Sequence, residues 1–271
     1  GIKGLGDWIE QLVAESTGKQ GKGILPVVVP SANATNFDPS TADEILVTFG
    51  PGFVFDTVTP ASGWGVAIDA PLGAAMLLWE YAVVVAGRVI GINPFDQPDV
   101  ESAKQAARDL LGGGGDVPTP DFSVDGIDVF SPEGSTLAEA VDWLLGALDP
   151  QHGYLAVQAY LDRETFADFA GIREVLAARV GRPVTFGWGP RFLHSTGQFH
   201  KGGSPTGVFL QITGDPVEDL PVPGREFTFG GFIDSQAAGD AAVLREHHRP
   251  VLRLPLKDVP TGLARLREVL A

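Results

Sequence analysis

The sequence predicts an α/β protein with mostly parallel sheets, and three observations carry that expectation. Strand-like segments rich in Val and Ile alternate with segments of helical period. Hydrophobic residues make up 44% of the 271 residues, enough for a full globular core. A run of four glycines, Gly112–Gly115, interrupts the alternation, which then resumes.

The elements follow in order. Trp8, Ile9, Leu12 and Val13 share one face of a helix expected over Gly6–Ala14. Ile24–Val29 and Glu44–Phe49 read as strands. Leu72–Ala86 reads as an apolar helix leading to a short strand, Arg88–Ile92. Pro98 suits the first turn of a helix running to about Leu111. Gly112–Gly115 and Asp116–Asp121 form the clearest linker. The expected division is therefore a segment over 1–111, a glycine-rich linker over 112–121 and a second α/β domain over 122–271.

Beyond the linker, helices are expected over Thr136–Leu148, Thr165–Val180, Phe192–Lys201, Gly230–His247 and Thr261–Leu270. Strands are expected over Tyr154–Leu161, Pro183–Gly187, Val208–Thr213 and Val251–Leu256. Such alternation predicts a sheet covered on both faces, with ligands beyond the carboxyl ends of its strands.

Composition narrows the function. The net charge is −15 with 19 Lys+Arg, which disfavours nucleic acid, because phosphate binding needs clustered cations. A small anionic substrate stays compatible, since a few local cations can outweigh the global field. No Cys is present, which excludes disulfides, zinc–thiolate sites and thiol catalysis and is compatible with a cytoplasmic location. No uninterrupted apolar run approaches the roughly 18 residues of a membrane helix. The longest, within Ala82–Ile90, is broken by Gly87 and Arg88, so no membrane partner is expected. Gly1 is not an initiator Met and the first periodic segment begins almost at once, so the chain is expected to be a fragment.

Three polar stripes are candidate sites. Gln11 and Glu15 are four residues apart and share a helix face. At about 100° per residue, Glu15 falls beside Trp8 at the edge of the apolar stripe, where desolvation raises a carboxylate toward general-base range. An ordinary helix-end Glu before a flexible glycine loop fits the same pattern. The loop is not a P-loop, because Gln20 stands after Lys19 where Ser or Thr is required. Gln97, Glu101, Lys104 and Arg108 line one arc of the second candidate helix; a solvated salt-bridge face explains them equally well. His194, Gln198 and Lys201 repeat the spacing on the third, where a surface histidine is the plain alternative. His247 and His248 lie near a helix end, where cations are favourable without any function.

Three strings add a resemblance. WIEQLVAESTGKQGKGILPV at 8–27 resembles the phosphoglucose isomerase segment that carries the catalytic base. GINPFDQPDVESAK at 91–104 resembles the C-terminal signature of that family, departing at Asp99, where a small residue is usual. GPRFLHSTGQFHKGG at 189–203 resembles the family segment with a His four residues before a Gln. In ordinary members this last segment lies between the other two; here it follows both, as in proteins that fuse a transaldolase to a phosphoglucose isomerase. The resemblance implies three-layer α/β/α sugar-isomerase domains, with an N-terminal isomerase domain and its Ser/Thr phosphate pocket missing from this chain. It implies that Glu15 is the base shuttling a proton between C2 and C1, held by Gln11. It assigns ring opening to His194 and Lys104, and substrate binding to Gln11, Gln97 and Gln198. The implied partner is a sugar phosphate, in a homo-oligomer of the full-length protein, with no metal and no organic cofactor. A non-catalytic sugar-phosphate-binding module of the same fold is the competing reading.

Overall fold

The computed structural model describes residues 4–50, 65–98, 108, 111 and 119–271. The expected linker glycines and Lys104 lie outside these residues. The α/β expectation holds: a mostly parallel six-stranded sheet is flanked by helices, and a separate two-stranded parallel sheet precedes it in the chain.

The first helix, α1 (Leu5–Thr17), buries Leu5, Ile9 and Val13 against an apolar cluster with Ala75 and Val83. Strands β1 (Leu46–Phe49) and β2 (Gly65–Ile68) pair in parallel, Leu46 opposite Gly65. Helix α2 (Leu72–Ile90) follows, and its contact with α1 is made through Ala75 and Val83. The expected strand Arg88–Ile92 does not form, because residues 88–90 are the last turn of α2. Gly91 ends the helix at φ 79°, where its N–H and that of Ile92 both reach Gly87 O. Ile24–Val29 is not a strand either. Its polar groups go elsewhere: Ile24 N–H donates to Thr17 Oγ1, Val28 O accepts from Arg173, and Pro26 has no N–H to offer. β-Branched composition marks a segment that packs well, which a strand partner must then complete.

α2 bears on the expected absence of a segment that could span a membrane. At 19 residues it is long and apolar enough to cross a bilayer, by length and composition only. Glu80, Gly87 and Arg88 break every uninterrupted run, but two charges across a whole helix do not remove its apolar character. Leu77, Tyr81, Val85 and Val89 are exposed along it.

The large sheet has the order β3-β4-β8-β7-β5-β6. β3 (Phe122–Val124) and β4 (Ile127–Val129) form an antiparallel edge hairpin that the sequence pattern did not reveal. β5 (Tyr154–Tyr160), β6 (Val184–Trp188), β7 (Gly207–Gly214) and β8 (Val251–Leu256) are parallel. Every residue of β5 is buried, as a central parallel strand covered on both faces must be.

One face packs on α3 (Leu137–Gly146), α4 (Ile172–Val180) and α7 (Val259–Leu270). The other packs on α5 (Thr196–Gly202) and α6 (Phe229–Glu246), with Ala14 of α1 joining that layer. α3 starts at a capping box: Thr136 accepts from Glu139 N–H while Glu139 reaches back. The chain goes from β5 out to β6 and then returns across β5 to β7, so the strand order reverses between β5 and β7. The helix expected over Thr165–Val180 is a 3₁₀ turn, Ala167–Gly171, followed by α4.

The edge strand β6 is met by a side chain from the first part of the chain. Asn36 Nδ2 donates to Arg182 O at 3.1 Å, and Val184 N–H donates to Asn36 Oδ1 at 3.0 Å. One amide side chain thus satisfies an edge as a neighbouring strand would.

Candidate active site

The three stripes do not fare alike. The helix expected over Phe192–Lys201 is two pieces, a 3₁₀ turn Arg191–His194 and α5, separated by Ser195 at φ −141°, ψ −96°. His194, Gln198 and Lys201 therefore do not line one face. His194 is exposed, whereas Gln198 and Lys201 are buried. The break turns the His194 side chain out of the helix's register and lets the rest of the segment go into the core.

Gln198 Nε2 donates to Gly18 O at 2.8 Å, just past the end of α1. Gly18 is where the two helices touch, since a Cβ there would lie 2.3 Å from Phe199 Cα. Lys201 forms an ion pair with Asp240 at 2.5 Å, both side chains fully excluded from solvent. Gln158 Nε2 donates to the other oxygen of Asp240 at 3.2 Å. His247 Nδ1 and Arg249 Nη2 donate to Lys201 O, closing the carbonyl end of α5. These contacts seat α5 between the sheet, α6 and α1, and α5 in turn supports the end of α1.

Glu15 lies near that end, half-buried. Burial raises its carboxyl above the ordinary carboxylate range. Opposing this, Gln11 donates to Glu15 Oε2 at 3.5 Å, and the Gln97 amide, His194 and Lys19 also favour the ionised form. Three separated stretches of chain thus lie near one carboxylate: α1 with the Lys19 turn that follows it, the Asn93–Gln97 turn and the Arg191–His194 turn. Of the residues singled out in the sequence, Gln11, Glu15, Gln97 and His194 converge here. Gln198 backs the site from within the core, and Lys104 lies outside the described residues.

Lys19, Asp96 and Asp240 were not singled out. Lys19 carried a usable signal, a cation in a glycine loop directly after the candidate base; Asp240 carried none, because only the fold brings it to Lys201. Among the described residues no group of three His, Asp or Glu side chains could hold a metal ion. A partly desolvated carboxylate, two amides and an exposed imidazole can abstract a proton beside a carbonyl and move protons on neighbouring oxygens.

No protein-family model matches the chain. A glucose-6-phosphate isomerase of Heliobacterium modesticaldum is 29% identical over 157 residues, covering 41% of this chain and 35% of that protein. A glucose-6-phosphate isomerase of Aromatoleum aromaticum is 49% identical over 51 residues, covering 18% of this chain and 9% of that protein. The chain thus spans about a third or less of the length of these curated relatives. Among solved structures, a hypothetical protein from Thermus thermophilus aligns with a TM-score of 0.42 at 14% identity. That alignment covers 100% of this chain and 74% of the other, and a likeness at this level carries no argument.

Proposed function

We propose that this chain, a distant relative of the glucose-6-phosphate isomerases, supplies the proton-transfer groups that interconvert glucose 6-phosphate and fructose 6-phosphate. The observation that carries the reading is the half-buried Glu15 carboxylate with Gln11, Gln97 and His194 gathered around it. Glu15 takes the proton from C2 of the open-chain sugar and returns it to C1 through an enediolate. Gln11 and Gln97 hold the carboxylate in place. His194, with Lys104, exchanges protons with the ring oxygen and the hydroxyl during ring opening. The Ser/Thr groups that hold the substrate's phosphate, and the rest of the pocket, are supplied by isomerase polypeptide outside the described residues, in a homo-oligomer of the full-length protein.

Glu15→Gln in the full-length protein tests the reading. The amide keeps shape and hydrogen bonding but cannot accept the proton. Turnover of glucose 6-phosphate should fall about 10²–10⁴-fold while binding of the sugar phosphate is retained. Turnover near the parent value would place the base elsewhere. Turnover absent from parent and variant alike, with binding in both, would favour the non-catalytic module.

A further inference from the structure

The turn after Glu15 contains a lysine that the proposed chemistry does not use. Lys19 is 1% exposed. An ammonium in that position is costly unless it is paired and hydrogen-bonded. Its Nζ donates to Asn93 O at 2.8 Å and lies 3.1 Å from Asp96 Oδ1. The turn itself is closed on both sides, Lys19 N–H to Lys22 O and Lys22 N–H to Lys19 O, at 3.1 and 3.0 Å. Lys22 Nζ reaches Ile90 O at 3.1 Å, in the last turn of α2. Two lysines of one glycine-rich turn therefore fasten the end of the base helix to the chain that runs from α2 to Gln97.

Asp96 directly precedes Gln97, whose amide favours the ionised form of Glu15. We propose that Lys19 is a positioning residue, which through Asp96 and the Asn93 carbonyl fastens the turn that carries Gln97 to the end of the helix that carries the candidate base. The inference rests on Glu15 being that base. It adds what sets the geometry: α1 and the Asn93–Gln97 turn come from distant parts of the chain, and the buried Lys19 ammonium, paired with the half-exposed Asp96, joins them close to the carboxylate.

The same lysine also acts on Glu15 through charge. Among the described residues the charged or titratable groups acting on Glu15 are His194, from the Arg191–His194 turn, and Lys19 itself. Both favour the ionised carboxylate, as do the Gln11 and Gln97 amides.

The test uses the full-length protein and glucose 6-phosphate, with Glu15→Gln as reference. Lys19→Met should lower kcat about 10²-fold with little change in KM, the scale of a misplaced reacting group. It should also move the acid limb of the pH–kcat profile upward, because a cation near the base is lost. Lys19→Arg should recover most of the rate. Asp96→Asn should lower kcat without raising the acid limb, because the cation remains; this contrast of sign is one that general damage to the fold does not produce. Parent-like kcat and pH profile in Lys19→Met, or parent-like kcat in Asp96→Asn, overturn the inference. If Lys19→Met does not fold, Lys19→Arg and Asp96→Asn decide the matter alone. Full turnover in Glu15→Gln would instead overturn the assignment of the base.

Discussion

Two carboxylates on α1 differ in what surrounds them, and the difference has a measurable consequence. Glu10 is pushed up from 4.5 to about 7, first by burial and also by Asp7, with Arg191 and Arg173 opposing. Its native-state value lies above the unfolded one, so the folded protein binds the proton more tightly. Stability should therefore fall as pH rises from about 4.5 to about 7. Glu10→Gln removes that loss and should gain on the order of 1 kcal/mol over the parent at pH 8, but not at pH 4. Urea midpoints at the two pH values check this; an equal gain at both would show that ionisation of Glu10 is not the cause. Lys201 and Asp240 are a different case, because both are fully excluded from solvent. Asp240→Ala leaves a buried ammonium without its partner and should cost about 3–5 kcal/mol. Lys201→Met with Asp240→Leu removes both charges and should recover much of that loss. A single variant as stable as the parent would mean that water reaches the pair.

Among the elements, the contact between α1 and α5 decides how the candidate site is built. Gly18 allows the two backbones to meet, with Phe199 Cα 2.3 Å from where a Cβ would be. Its φ is −74°, so the requirement is space and not a special backbone conformation. Gly18→Ala should destabilise the protein by about 1–3 kcal/mol through overpacking. In the full-length protein it should also lower kcat by shifting Glu15 relative to His194. Thermal unfolding and turnover measured on one preparation check both effects; unchanged turnover with lowered stability would detach the site from this helix contact. The break at Ser195 belongs to the same scale. A continuous helix would have kept His194 and Gln198 on one face; the kink sends one to solvent and the other to Gly18 O.

For the whole molecule, charge dominates. The net charge of −15 is spread over a single chain, so self-repulsion opposes compaction. Raising ionic strength from about 0.01 M to 0.15 M shortens the screening length from about 30 Å to 8 Å. The melting temperature should rise over that range. A fall would mean that pairs such as Lys19–Asp96 and Arg182–Glu44 contribute more than the long-range repulsion costs. The apolar surface of α2, with Tyr81 66% and Val89 80% exposed, belongs to this scale too.

The sequence by itself determined the α/β class, most strands of the large sheet, and the pairing of Gln11 with Glu15, because each rests on local period. Val251–Leu256 is a strand within the limits expected, and Thr136 caps the helix expected at that position. Three features were decided only by tertiary structure. Ile24–Val29 lost its strand because, among the described residues, no strand pairs with it and side chains take its polar groups. β3 and β4 are three residues each, too short to show a period, and form by pairing beside β8. Lys19 reads as a loop cation until the fold brings Asp96 and Asn93 O to it. Local pattern records which face of an element is apolar, whereas a buried charge is stable only where distant chain supplies its partner, and that arrangement exists only once the chain has folded.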